Sequence, residues 1–159
     1  MKNKSKLELK KFYNNYTNSL KNSLDSVDLK KIFSIVDLLK TQFRKKKKIF
    51  VCGNGGSAAI ANHYICDYLK LLRFNTNFKP KIVSLSDNVE TLTAISNDHD
   101  YSEIFKYQAE SLAERGDIFI IISSSGNSEN ISKLAKWAKN KKFKIISFTG
   151  FNGGKLKKL

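Results

Sequence analysis

The chain has 159 residues, of which 41% are hydrophobic and 27% are charged, a balance typical of a folded domain rather than a disordered chain. No apolar run approaches the ~20 residues of a bilayer span and no secretory signal is present, so we expect a cytoplasmic protein without a membrane segment. The net charge of +15 would suit an anionic partner, but no nucleic-acid-binding motif accompanies the lysines. We therefore expect a solvated, lysine-rich surface rather than nucleic-acid binding.

Two helices are predicted before the first strand. The first, over about residues 7–20, carries an apolar stripe made of Leu9, Phe12, Tyr13, Tyr16 and Leu20. The second begins near Ser26 and is expected to bury Leu29, Ile32, Phe33, Val36, Leu39 and Phe43. Such a pair can pack against another subunit or against the chain's own sheet, and the sequence leaves both possibilities open.

A glycine turn at residues 53–57 joins the first predicted strand to the third predicted helix. The apolar run 49–52 precedes this turn, and helical periodicity over 58–72 follows it. A strand, a glycine turn and a helix can point backbone N–H groups and a helix dipole at an anion, and Ser57 could cap the helix or donate its hydroxyl. The turn could equally be a simple connection between the two elements.

Two familiar nucleotide-binding motifs are excluded at this turn. A dinucleotide fingerprint requires a third glycine at position 58, where the chain has alanine. A P-loop requires lysine followed by serine or threonine, and here Ser57 and Ala58 occupy those positions. We therefore expect the phosphate at this turn to belong neither to ATP nor to NAD.

The rest of the chain alternates strands with helices. The predicted strands are 82–85, 118–122 and 143–148, and the predicted helices are 88–96, 101–113 and 129–139. This alternation predicts a doubly wound α/β fold with a parallel sheet. We expect one domain over residues 1–159, with N-terminal helices in 1–44 and the α/β core in 45–159.

Polar residues recur where the predicted strands end. The serine-rich turn 123–128 follows the most apolar strand, and Asn97 and Asp98 lie in a polar cluster after another element. The glycine turn and the serine-rich turn should both lie at the carboxyl edge of the sheet, where ligands of such folds bind. Serine and asparagine side chains can donate hydrogen bonds to phosphate oxygens. A single serine-rich turn more often caps a helix, but the combination favours a sugar-phosphate pocket.

His63 and Asp67 lie four residues apart on the helix that leaves the glycine turn. This spacing places both side chains on one face of a helix. The pair could hold one metal ion or transfer protons, and it could also be a surface salt link.

These motifs resemble the sugar isomerase (SIS) domain family and, within it, the phosphoheptose isomerases. The resemblance rests on GNGGS at 53–57, TAISND at 93–98 and SSSGNS at 123–128, together with His63 and Asp67. It implies a three-layer, flavodoxin-like sandwich that forms homotetramers with sites at subunit interfaces. It also implies interconversion of sedoheptulose 7-phosphate and D-glycero-D-manno-heptose 7-phosphate through an enediol, for heptose and lipopolysaccharide biosynthesis.

The resemblance also implies roles for individual residues. Asp67 would be the catalytic base and, with His63, a ligand of a zinc ion. The residues implied to bind the substrate are Asn54, Gly55, Gly56, Ser57, Asn97, Asp98, Ser123, Ser124, Ser125 and Ser128.

The sequence departs from the family pattern in two places. Asp67 stands where the family has glutamate, one methylene longer, and a displacement near 1 Å can reduce a rate on the order of 100-fold. The family continues beyond position 159 with a strand and a long helix that carry a glutamine and a histidine, so we expect an incomplete sheet and catalytic set. These departures leave open an alternative, a non-catalytic SIS protein that binds a sugar phosphate or a protein such as the bacterial replication initiator.

Overall fold

The computed structural model describes residues 2–159, and the burial of side chains from Ser5 onward. It separates into two compact units, one ending at Asp37 and the other extending over Leu38–Leu159. The boundary between the two units falls within a helix, and the predicted single domain over residues 1–159 stays a prediction. In the part of the chain that is described, no helix combines the length and the apolar composition needed to cross a membrane.

Both predicted N-terminal helices are present, as α1 (Lys2–Asp25) and α2 (Leu29–Arg44). The apolar stripe of α1 is 50–69% exposed at Leu9, Phe12, Tyr13, Tyr16 and Leu20. Of the residues of α2 that were expected to be buried, Phe43 is buried within the chain, and Leu29, Phe33 and Val36 are exposed in the single chain. Periodicity identifies the apolar face of a helix but carries no information about what covers it.

The second unit contains a parallel sheet of four strands in the order β2-β1-β3-β4. The strands are β1 (Lys48–Cys52), β2 (Lys81–Ser84), β3 (Ile118–Ser123) and β4 (Lys144–Thr149). All six residues of β3 are buried, and β3 pairs with β1 and β4, which confirms that the most apolar run lies inside the sheet.

Helices cover the sheet and form the layers of the predicted α/β sandwich. They are α3 (Gly56–Cys66), α4 (Arg73–Asn75), α5 (Val89–Asp98), α6 (Ile104–Leu112) and α7 (Glu129–Asn140). Phe50 and Phe119 stack at 5.2 Å in a core cluster that includes residues of α5, α6 and α7. Helix α3 packs against β1, β2 and β3, and its Ala61 is fully buried.

Three boundaries differ from the sequence prediction. The helix after the glycine turn begins at Gly56 and continues beyond α3 through a π-helical segment, Asp67–Leu72, into α4. Helix α5 includes Asn97 and Asp98, which were predicted to lie in a loop. A 3-10 turn, Tyr101–Glu103, precedes α6. Polar residues on the exposed side of a last helical turn look like a loop in sequence, because apolar periodicity is the main signal of a helix.

Candidate active site

The two polar turns lie side by side in the structure. They follow β1 and β3, which are neighbours in the sheet, with Cys52 paired to Ile121. From this pair the sheet extends to β2 on one side and to β4 on the other. The turns therefore occupy the point where the strand order reverses, which is where open α/β sheets bind their ligands.

Asn54 joins the glycine turn to the first turn of α7. Its Nδ2 donates to Oδ1 of Asn130 at 2.9 Å, and Nδ2 of Asn130 donates back to Oδ1 of Asn54 at 3.0 Å. The hydroxyl of Tyr101 also donates to Oδ1 of Asn54, at 3.1 Å. Sequence reasoning missed Asn130 and Tyr101, since neither belongs to a motif and both reach the turn from distant parts of the chain.

The glycine turn is fixed on its other side by serines at the end of β2. The Ser86 hydroxyl accepts a hydrogen bond from the Gly53 N–H at 3.1 Å and donates to the Gly53 carbonyl at 2.9 Å. The Ser84 hydroxyl in turn accepts from the Ser86 N–H at 3.0 Å. A Cβ at Gly53 would lie 2.5 Å from the Ser57 carbonyl oxygen, so this tight turn requires glycine.

Ser57 does not cap α3, which corrects one of its two predicted uses. The N-cap is Gly55, with φ of 53°, and Ser57 lies in the first helical turn. Among the described residues the Ser57 hydroxyl has no hydrogen-bond partner, so it is available to a ligand.

The serine-rich turn presents a mixture of engaged and free hydroxyls. Oγ of Ser123 accepts from the Gly126 N–H, and Oγ of Ser125 accepts from the Asn127 N–H, each at 3.2 Å. Ser128 occupies the N-cap position of α7 without capping it. The hydroxyls of Ser124 and Ser128 have no partner within the described chain. Hydroxyl donors beside a helix N-terminus are suited to phosphate oxygens.

A glycine-rich loop at residues 150–155 supports the serine-rich turn. The Gly150 N–H donates to the Ser124 carbonyl at 2.9 Å, and the Lys155 N–H donates to Oδ1 of Asn127 at 3.0 Å. Gly126 has φ of 65°, and a Cβ there would lie 2.1 Å from the Gly153 carbonyl oxygen. The geometry of the turn therefore depends on glycine at position 126.

An ion pair holds the 3-10 turn that carries Tyr101 against α7. Nζ of Lys133 lies 2.8 Å from Oε1 of Glu103 and also donates to the Ser102 hydroxyl. The hydrogen bond from Lys133 lowers the pKa of Glu103, and the same bond raises the pKa of Lys133. This contact orients the turn whose Tyr101 hydroxyl reaches Asn54.

Asn97 and Asp98 are exposed on the last turn of α5. Nδ2 of Asn97 donates to Oδ1 of Asp98 at 2.9 Å, and the described hydrogen bonds do not link either side chain to the two turns. Tyr101, a few residues further along, makes that link instead.

His63 and Asp67 face each other but lie away from the serine-rich turn. Nε2 of His63 is 3.5 Å from Oδ1 of Asp67, and the two side chains are 71% and 41% exposed. Asp67 is ten residues beyond Ser57, so it lies ~15 Å further along the helix axis at 1.5 Å per residue. The structure thus brings the glycine turn and the serine-rich turn together. Asp67, the predicted catalytic base, does not lie beside these two turns.

The pair supplies only part of a zinc site. A zinc ion commonly takes four ligands, and within the described residues no group of three or more His, Cys, Asp or Glu side chains is placed to hold a metal. Zinc binding by this pair stays a prediction.

Comparison with known proteins decides the family. The sequence profile described as the SIS domain matches residues 11–150. The chain belongs to the SIS domain family. This result confirms the resemblance seen in the motifs.

Similar proteins within this SIS family are phosphoheptose isomerases. The enzyme of that name from Clostridium acetobutylicum is 39% identical over 133 residues, which cover 84% of this chain and 67% of that protein. The solved phosphoheptose isomerase from Neisseria gonorrhoeae matches with a TM-score of 0.83 and 28% identity over 95% of this chain and 79% of its own. The one from Francisella tularensis matches with a TM-score of 0.81 and 27% identity over 96% and 78% of the two chains. The predicted three-layer α/β fold is confirmed.

Proposed function

We propose that this SIS domain is a phosphoheptose isomerase. The reaction is the aldose–ketose interconversion of sedoheptulose 7-phosphate and D-glycero-D-manno-heptose 7-phosphate, in the cytoplasm. The observation that carries the proposal is the pair of polar turns at the point where strand order reverses, in a chain whose relatives bear that name. The product would supply heptose to a cell-surface polysaccharide such as lipopolysaccharide.

The phosphate would bind at the serine-rich turn. Ser124 and Ser128 have free hydroxyls there, and Ser123 and Ser125 can still donate the hydroxyl protons that their own turn does not use. The N-terminal end of α7 adds a favourable partial positive charge. Ser57 extends the same set of donors from the neighbouring turn.

The sugar would extend from this phosphate across the glycine turn. Gly55 and Gly56 lack side chains, so a ligand can approach their backbone closely, and a Cβ at either would meet nothing within 4 Å. Asn54, Asn97 and Asp98 would bind the sugar hydroxyls.

Asp67 would transfer the proton in the reaction. Its carboxylate would take a proton from C1 of the ketose, and the resulting enediol would receive a proton at C2 to give the aldose. The hydroxyl proton on O1 would move to O2 in the same sequence. The carboxylate is partly exposed, and its partner His63 would orient it.

A second copy of the chain would complete this site. Asp67 lies ~15 Å along its helix from Ser57, which a seven-carbon sugar held at the serine-rich turn of the same chain would have difficulty spanning. The exposed apolar stripe of α1 offers a surface for association. We therefore propose a homotetramer in which Asp67 and His63 of one copy face the serine-rich turn of another, and in which the same two side chains would supply two of the ligands of a zinc ion.

The second candidate function is binding of a sugar phosphate without turnover. It is favoured by the aspartate at position 67, whose carboxylate reaches one methylene less far than the family's glutamate. In that case the turns would hold the phosphate and the reaction would not follow.

The experiment is the turnover of sedoheptulose 7-phosphate by the purified protein, with and without zinc, followed by NMR of the sugar. We expect product from the unmodified chain, loss of at least ~100-fold in kcat for Asp67→Asn, and activity retained or increased in Asp67→Glu. Asp87→Asn, a change at an exposed carboxylate outside the site, serves as the matched control. Binding of the sugar phosphate with no product from any of these proteins would establish the second candidate instead.

A further inference from the structure

A cavity lies at the opposite edge of the sheet from the candidate active site. It has a volume of about 750 Å³ and is bordered by the C-terminal ends of α6 and α7. Its lining includes Arg115, Gly116, Trp137, Lys141 and Phe143. The volume falls in the range of small-molecule sites, ~300–1,000 Å³. None of the residues assigned above to the isomerase reaction lines it.

One wall of this cavity is aromatic. Trp137 stacks on Phe143 with ring centroids 5.4 Å apart, and both rings meet Phe119 of the core edge-on, at 6.0 and 5.4 Å. These contacts fix the two rings in place, so a planar ligand would meet a rigid surface and lose little side-chain entropy on binding.

The opposite part of the cavity is cationic. Arg115, Lys141 and Lys142 line it, and within the described residues none of the three forms an ion pair. Lys47 adds a fourth cation, because its side chain lies over Gly116, where a Cβ would come within 3.1 Å of its Cε.

The acidic groups nearby are already engaged. Glu110, which lines the cavity, lies 3.5 Å from Nζ of Lys106. The buried Asp117 carboxylate accepts the Lys48 N–H at 2.8 Å and the Glu114 N–H at 2.9 Å. Glu114 is paired with Nζ of Lys48 at 3.2 Å. The cavity therefore carries a net positive charge, which a phosphate could neutralise.

We propose that this cavity binds a nucleoside phosphate. The base stacks on the wall made by Trp137 and Phe143, and the phosphates bind Arg115, Lys141 and Lys142. The site is separate from the isomerase site and stands whether or not the chain turns over heptose phosphate.

The test uses the fluorescence of Trp137, which is the only tryptophan of the chain. We titrate the protein with ADP, with adenosine and with inorganic pyrophosphate, and confirm each affinity by calorimetry. We expect ADP to quench the fluorescence saturably with a Kd below about 1 mM. Adenosine and pyrophosphate should each bind at least ~10-fold more weakly, because each satisfies only one part of the cavity.

Charge variants separate a built site from general attraction to a basic protein. Arg115→Gln and Lys141→Gln should each weaken ADP binding by ~10-fold, while Lys136→Gln, which removes an exposed charge on α7 outside the cavity, should leave it unchanged. Equal weakening by all three variants, equal affinity for pyrophosphate and ADP, or no saturable quenching would each overturn the proposal.

Discussion

Asn54 and Asn130 exchange two amide hydrogen bonds, at 2.9 and 3.0 Å, across the point where the sheet order reverses. The two residues belong to different βα units, and their pairing makes one rigid unit of the glycine turn and the start of α7. Since Asn130 is only 2% exposed, water can replace little of what its side chain provides.

Asn130→Ala should destabilise the fold by about 1–3 kcal/mol, because it leaves the amide of Asn54 without its main partner. The change removes both hydrogen bonds to Asn54 and the one that Oδ1 of Asn130 accepts from the Ile131 N–H at 2.8 Å. Urea unfolding measures the change. Asn54→Ala with Asn130→Ala in one chain should cost less than the sum of the single changes, since the pair acts together. Additive costs would show that the two amides do not interact in solution.

Gly126→Ala should lower the stability and weaken binding of heptose 7-phosphate, because the new Cβ would collide with the Gly153 carbonyl at a backbone with positive φ. Thermal unfolding and a binding titration follow the two effects. Gly56→Ala is the matched control for the thermal unfolding alone, since a Cβ there would meet nothing within 4 Å in the chain. Similar melting temperatures for the two variants would mean that the loop at 150–155 moves aside without cost.

The stability of the fold should depend on pH through the ion pair between Lys133 and Glu103. The hydrogen bond from Lys133 holds the pKa of Glu103 below its ordinary value of 4.5. A carboxyl group whose pKa is lowered by folding stabilises the fold at pH values above its pKa in the unfolded chain. This stabilisation is lost as the pH falls through the pKa of the group in the folded chain. Lys133→Gln should therefore reduce the loss of stability between about pH 5 and pH 2, relative to Lys136→Gln. Urea midpoints across that range provide the measurement, and parallel curves for both variants would refute the role of the pair.

The apolar stripe of α1 should control assembly. Phe12 and Tyr16 stack at 6.3 Å and are 69% and 62% exposed, so changing both to serine removes little packing within the chain. We expect the double variant to dissociate to smaller species in sedimentation velocity, and to lose turnover if Asp67 acts on a neighbouring copy. Phe74→Ser, at a side chain 87% exposed in the other unit, should leave the mass unchanged. An unchanged mass for the double variant would exclude the stripe as the interface.

Local signals were sufficient to predict the strands, their parallel arrangement and the two turns. The run at 118–122 and the glycines at 53–56 are contiguous, and a parallel sheet brings the ends of neighbouring strands to one edge. Long-range pairings could not be predicted in this way. Asn54 and Asn130 are 76 positions apart, and Asn54 and Tyr101 are 47 apart.

Two local features of the helix after the glycine turn could not be predicted, because they depend on backbone conformation rather than on apolar periodicity. The π-helical segment that begins at Asp67 changes which side chains share a face beyond that residue, and the apolar periodicity of 58–72 shows no interruption there. Ser57 is a good helix cap by composition, yet Gly55 takes that position because it tolerates φ of 53°.

The hydrogen bonds that hold the serine-rich turn affect the order in which the site forms during synthesis. The Lys155 N–H reaches back 28 residues to Asn127, and the Gly150 N–H binds the Ser124 carbonyl. During synthesis the serine turn leaves the ribosome before the segment that holds it in shape, because domains grow from the N-terminus. Phosphate affinity should consequently appear only after residues 150–155 have left the ribosome, and its appearance would mark their docking on the serine-rich turn.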